Sequence, residues 1–133
     1  MATSDPARLV SPAERVESDP TPGMLRERAI DVEGLWAGFV RTAPGMTSGW
    51  HHHGDYETSI YVAAGTLRLE SGPAGETTVT AVAGDFVHIP RGAVHREAND
   101  GDKESHLIVV RAGSGPPTIN VDGPAPPPGP PVA

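Results

Sequence analysis

Gly45-Met46-Thr47-Ser48-Gly49-Trp50-His51-His52-His53-Gly54-Asp55-Tyr56-Glu57 sets three consecutive histidines, and then a carboxylate, behind a glycine turn. On an extended strand His51 and His53 project to the same face, while His52 projects to the other. Two imidazoles on one face can share one metal ion at about 2.0–2.2 Å. Glu57 follows after Gly54 and Asp55 permit a turn, and a second segment, residues 84–99, adds His88 and His95. His95 would complete the set from a different strand. His52, His88 and His106 are expected to pack or hydrogen-bond rather than ligate. Three imidazoles and a carboxylate suit one divalent transition metal, Zn, Fe, Mn, Ni or Co, and the donors alone do not choose among them.

Working outward, short β-prone runs flank both segments at residues 24–30, 35–41, 58–62, 66–70, 77–81, 85–89, 95–98 and 105–111. Gly-rich turns separate them, among them Pro44-Gly45, Ala64-Gly65, Ala83-Gly84 and Arg91-Gly92. Strands recurring about every ten residues with turns between them indicate a sandwich or barrel. Thr66-Leu67-Arg68-Leu69-Glu70 alternates with Leu67 and Leu69 inward. No long segment has helical periodicity, and no internal repeat suggests a second barrel.

The chain divides into an extended arm over residues 1–23 with an edge strand around residues 7–10, a barrel over 24–112, and a tail over 113–133 rich in Pro and Gly. Proline lacks the ladder donor, so the tail is expected to stay out of any central strand and to run polyproline-like.

Composition narrows the function. The 133 residues suit one domain, and 16 Gly with 15 Pro at 37% hydrophobic content favour an all-β class. A net charge of −7 argues against nucleic-acid binding through a basic surface. Without cysteine there is no disulfide, thiolate site or cysteine nucleophile, so His, Asp or Glu must hold any metal. No apolar run approaches the ~20 residues of a membrane span. The expectation is a soluble, cytoplasmic protein, and the excess of Arg over Lys hints at a GC-rich bacterial genome.

The two histidine segments resemble the paired motifs of the cupin family. Gly45, His51, His53, Glu57 and the closing Gly65 follow the first motif, G-x5-H-x-H-x3-4-E-x6-G. Gly84, Pro90, Gly92, His95 and Asn99 match every fixed position of the second, G-x5-P-x-G-x2-H-x3-N. The resemblance covers roughly residues 24–112 and implies a single cupin barrel, a jelly roll or double-stranded β-helix, with His51, His53, Glu57 and His95 as metal ligands. One departure stands out: seven residues, not six, separate Glu57 from Gly65, so counting back from Gly65 places Thr58 at the ligand position. Either a bulge turns Glu57 inward, or the site is three-His with Glu57 nearby. A carboxylate is the better ligand, which favours the bulge.

Tyr61 shares parity with Glu57 and is the expected substrate contact if no bulge intervenes. Trp36, Phe39, Trp50 and Phe86 are expected in the core. Arg26, Arg28 and Arg41 are expected at the surface; an inward one would suggest an anionic substrate, because guanidinium grips carboxylate with two prongs.

The resemblance implies a metal-dependent enzyme acting on a small molecule, and cupin reactions range over dioxygenases, decarboxylases, isomerases, epimerases and lyases. Residues 48–58, with 85–90 and 95–97, are also similar to cupins of bacterial secondary metabolism, including the cupin parts of hydrazine synthetases. That likeness implies a redox-neutral, zinc-dependent N–N bond formation with a separate synthetase-like partner. A non-catalytic metal or small-molecule binder is the other class. Barrel edges are usually covered, so a homodimer through the N-terminal strands is expected.

Overall fold

The computed structural model describes residues 2–116 and 118–125, so most of the proline-rich tail lies outside the described residues. Among the described residues, eleven strands follow a 3-10 turn at Pro12–Glu14: β1 Val16–Thr21, β2 Met24–Val32, β3 Leu35–Thr42, β4 His51–His52, β5 Glu57–Ala64, β6 Thr66–Ser71, β7 Thr77–Val82, β8 Phe86–Ile89, β9 His95–Ala98, β10 Ser105–Ala112 and β11 Ile119–Asn120. They form a six-stranded sheet, β1-β2-β3-β10-β5-β8, and a five-stranded sheet, β11-β4-β9-β6-β7. The paired strands are antiparallel. This is the all-β double-stranded β-helix expected from the sequence. No helix among the described residues is long and apolar enough to cross a membrane.

Alternation makes the core. On β5, Thr58, Ile60 and Val62 are buried; on β10, Ser105, Leu107, Val109 and Arg111 are. Val40 and Trp36 from β3, Leu67 and Leu69 from β6, and Val87 and Ile89 from β8 complete a continuous apolar interior. Of the large aromatics, Trp36 is in that core. Phe86 instead stands 74% exposed, because the β8 parity that buries Val87 and Ile89 turns it outward.

Two placements differ from the expectations. The N-terminal edge strand is Val16–Thr21, not residues 7–10, and its pairing with β2 is irregular between Ser18 and Thr21. Asp19-Pro20 lies within that irregularity, where a missing proline N–H is tolerated at a sheet edge. The segment after the barrel contributes β11, which pairs Ile119 with His52 and Asn120 with His51. It holds Thr118-Ile119-Asn120-Val121, a proline-free stretch in an otherwise proline-rich region.

Two small features hold the barrel end where the histidines sit. Gly65 turns between β5 and β6 at φ +80°, and an added Cβ would lie 2.9 Å from the Ser105 backbone. Asn99 is buried at the end of β9 and clamps three segments. Its Nδ2 donates to Thr42 O (3.0 Å) and Lys103 O (2.8 Å), and its Oδ1 accepts from Gly101 N (3.0 Å). Its main chain pairs with Met46 and Gly45 in the loop leading to the histidine run. Replacing Asn99 by Ala removes these side-chain bonds, and a longer one from Thr66 Oγ1 (3.5 Å), in a buried setting. Asn99→Ala is expected to cost about 2–4 kcal/mol of unfolding free energy by urea titration, with Asn99→Asp also destabilised because it has no amide to donate. A loss under about 0.5 kcal/mol would show the clamp to be dispensable.

Candidate metal centre

Two short strands build the site. His51 on β4 lies directly opposite His95 on β9, and His53 and Glu97 each lie two residues further along their own segments. Parity therefore turns all four side chains into the barrel, where all four are buried. One donor atom from each of His51, His53, His95 and Glu97 lies within 4.8 Å of every other. An ion with bonds of about 2.1 Å draws its donors to within about 4 Å of one another, so the group needs only a small contraction to share one. The rings are grouped tightly, with centroids 4.3 Å apart for His51 and His95, 5.0 Å for His53 and His95, and 5.1 Å for His51 and His53.

The hydrogen bonds orient the donors. His51 Nδ1 bonds Gly49 O at 2.9 Å, and His95 Nδ1 bonds Ala93 O at 2.9 Å. A carbonyl can only accept, so Nδ1 carries the proton in both rings and each Nε2 presents a lone pair. Both Nε2 atoms are buried without a hydrogen-bond partner. Two buried lone pairs facing a carboxylate and a third imidazole are what a cation would satisfy. The residues present thus fit a divalent metal.

Electrostatics agree. Burial lowers the His51 pKa, with Glu97 opposing, which favours the neutral ring a metal requires. Burial pushes the Glu97 carboxyl up, but the neighbouring His95, then His51 and Arg26, outweigh it and hold the carboxyl well below the usual range. His95 Nε2 and Glu97 Oε1 are 3.5 Å apart.

Glu57 is not in this group. The pairing of β5 with β10 runs unbroken from Glu57 opposite Ala112 to Val62 opposite Leu107, so no bulge turns Glu57 inward. Thr58 takes the inward position, as the spacing to Gly65 indicated, and is buried with its hydroxyl unpaired. Glu57 lies outside, bonded to His88 Nε2 at 2.5 Å and 3.6 Å from Arg91 Nε. Tyr61, on the same outer parity, packs at a tilt against Phe86 with ring centroids 4.9 Å apart. His52 faces away and accepts a bond from Gly54 N at 3.0 Å. His106 pairs with Glu104 at 2.9 Å on the surface.

Glu97 is the residue that sequence reasoning passed over. The signal was present: His95-Arg96-Glu97 repeats the spacing of His51-His52-His53, so His95 and Glu97 share a face by the same argument.

Beside the group is a cavity of about 10 Å³, room for about one water. Met24, Val40, Ile60, Leu107 and Val109 form its apolar walls, while His53, Glu97, Thr58, Arg26 and Arg111 supply the polar side. Arg26 is only 4% exposed, contrary to its expected surface position, because β2 parity buries Met24 and Arg26 together.

Both lowered pKa values give the metal-free protein an acid sensitivity of definite sign. A site that protonates less readily when folded than when unfolded adds stability above its unfolded pKa, and that stability is lost as the pH falls. His51 sets the first loss below about pH 6.5 and Glu97 a further loss below about pH 4.5. Thermal melts of chelator-treated protein from pH 7.5 to 4 should fall in that order, and His51→Gln should flatten the upper part. A melting temperature rising on acidification through pH 6 would contradict the assignment.

Comparison with known proteins agrees with the architecture. Residues 38–111 match the cupin domain family. A search of curated proteins found no match. Among solved structures, an uncharacterized conserved protein with a double-stranded β-helix domain from Klebsiella pneumoniae superposes with a TM-score of 0.70 at 18% identity, covering 88% of this chain and 99% of that one. KdgF from Halomonas sp. superposes at 0.67 with 19% identity, covering 82% and 96%. A recombinant oxalate oxidase in complex with glycolate superposes at 0.63 with 25% identity, covering 75% of this chain and 56% of that one. The first two likenesses concern the fold. With residues 38–111, more than half of the 133, matched to one family and the same barrel found in its structure, the chain belongs to the cupin domain family.

Proposed function

We propose that this protein is a metal-dependent cupin enzyme that binds a small-molecule metabolite beside one divalent ion held by His51, His53, His95 and Glu97. The observation carrying this is the pair of buried, unpartnered Nε2 lone pairs on His51 and His95, aimed into a group that already holds a third imidazole and an ionised carboxylate. The 25% identity to an oxalate oxidase solved in complex with glycolate supports an enzyme that takes a small molecule.

When bound, the metal would act as a Lewis acid toward a substrate oxygen or nitrogen. The chain's own residues do the rest. Gly49 and Ala93 carbonyls fix the His51 and His95 rings, so the donors are set before any ion arrives. Glu97 supplies one negative charge, leaving a net positive site that favours an anionic or polarisable ligand. The apolar walls from β2, β3, β5 and β10 limit water beside the donors.

Elemental analysis of protein purified without a histidine tag tests this directly. Stoichiometric divalent metal is expected. His51→Ala combined with His95→Ala should abolish it, and Glu97→Gln should weaken it about tenfold or more, while Glu57→Gln leaves it unchanged. Metal retained by the double histidine variant would overturn the reading. With the site loaded, oxygen uptake separates the reaction classes: iron with uptake selects a dioxygenase, and zinc without it selects a redox-neutral rearrangement such as N–N bond formation.

A further inference from the structure

Thr58 brings a hydroxyl into the barrel interior with nothing to bond there. It is 2% exposed, and its Oγ1 is buried without a hydrogen-bond partner among the described residues. It lines the cavity of about 10 Å³ that His53 and Glu97 of the metal group also line. The other polar side chains around that cavity differ from it. Arg26, His53 and Arg111 each take part in interactions, and Glu97 Oε1 lies 3.5 Å from His95 Nε2. β5 holds Thr58 firmly, because its main chain faces Arg111 of β10 on one side and Ile89 of β8 on the other.

Folding alone does not account for this hydroxyl. A buried hydroxyl without a partner costs free energy, and valine fills the same shape without that cost. Valine and isoleucine also suit a strand as well as threonine does. The next two inward places on β5 are aliphatic, Ile60 and Val62. Thr42, at the end of β3, has a buried hydroxyl without a partner too, but it does not line this cavity. What sets Thr58 apart is the space beside it, which has room for about one water. An atom in that space has Thr58 on one side and the metal group on the other. An oxygen can give one lone pair to a cation and keep a second for the Thr58 hydroxyl to donate to. An amine nitrogen has a single lone pair and cannot serve both.

We propose that the Thr58 hydroxyl is the positioning donor for an oxygen ligand at the metal centre: a water in the resting barrel, and one substrate oxygen in its place. The proposal rests on the metal reading above and narrows it, because it makes oxygen rather than nitrogen the substrate atom beside His53 and Glu97. Thr58 orients that atom and transfers no proton.

The test uses the full chain loaded with cobalt(II), whose visible bands report its ligands, titrated with fluoride. Fluoride is one atom, close to water in size, and only accepts hydrogen bonds. It is expected to bind wild type and shift the bands. Thr58→Val is expected to bind fluoride about tenfold more weakly with cobalt stoichiometry unchanged, while Thr58→Ser, which keeps the hydroxyl, stays within about threefold of wild type. Thr42→Val should leave fluoride affinity unchanged, and ammonia, with its single lone pair, should lose no affinity in Thr58→Val. The metal-free chain gives a second readout: removing an unpaired hydroxyl should raise the melting temperature of Thr58→Val by about 2–6 °C. A hydroxyl kept for folding would change it in the opposite direction. Thr58→Val binding fluoride as wild type does, or melting below wild type without metal, would overturn the role of Thr58 and leave the metal reading intact. So would wild type that binds cobalt and gives no fluoride response. An equal loss for ammonia would overturn the preference for oxygen. Cobalt failing to bind wild type would remove the metal reading and this proposal with it.

Discussion

The pairing of His51 with His95 across β4 and β9 is the contact on which the centre of this barrel depends. The contact is short, since β4 has only two residues in regular strand geometry. Its neighbours extend it irregularly: Ser48 N donates to Glu97 O at 2.8 Å, Ser48 Oγ accepts from Glu97 N at 2.9 Å, and Thr47 bridges Ala98. A one-residue slip in such a pairing would turn every donor to the opposite face. The interactions around it therefore fix register more than they add stability. Asn99 ties the far end of β9 to β3 and the loop before β4, while β11 pairs with the outer edge of β4 through His51 and His52.

Register also explains which acid enters the site. A carboxylate on β9 shares the face of His95 by parity alone, with no distortion. A carboxylate at Glu57 needed a bulge, and β5 has continuous partners on both sides over the relevant residues: β10 across residues 57–62 and β8 across residues 58–61. A bulge there would disrupt two ladders at once, in the middle of the six-stranded sheet. Glu57 instead meets His88 and Arg91 at the surface, where the same charge costs little to solvate.

Much of this was legible in the sequence because it depends on local alternation and turn chemistry. The eight strand runs from Met24 onward, the inward pair His51 and His53, the outward His52 and the contribution of His95 all follow from period-two spacing between glycine turns. What was not legible depends on partners distant in the chain. The position of β1 is set by pairing with β2, and that of β11 by a free edge on β4, neither of which leaves a periodic pattern in six or two residues. Residue type alone places Arg26 at the surface, where arginine usually lies. Strand alternation instead places Arg26 on the inward face of β2 with Met24.

The burial of Arg26 bears on what the interior is for. Arg26, Arg111 and Glu97 are each at most 5% exposed, in a barrel whose other walls are apolar. Charged groups in such a place are commonly neutral or costly for stability compared with well-packed apolar side chains. The same barrel end already seats Trp36 against Arg111 and orders Thr21 against Arg26, so holding these charges recruits aromatic and hydroxyl partners from two strands. An interior selected for stability alone would have closed this space with aliphatic side chains, as β5, β6 and β8 do elsewhere in the core. Glu97 beside three buried imidazoles fits an interior organised around a bound cation instead.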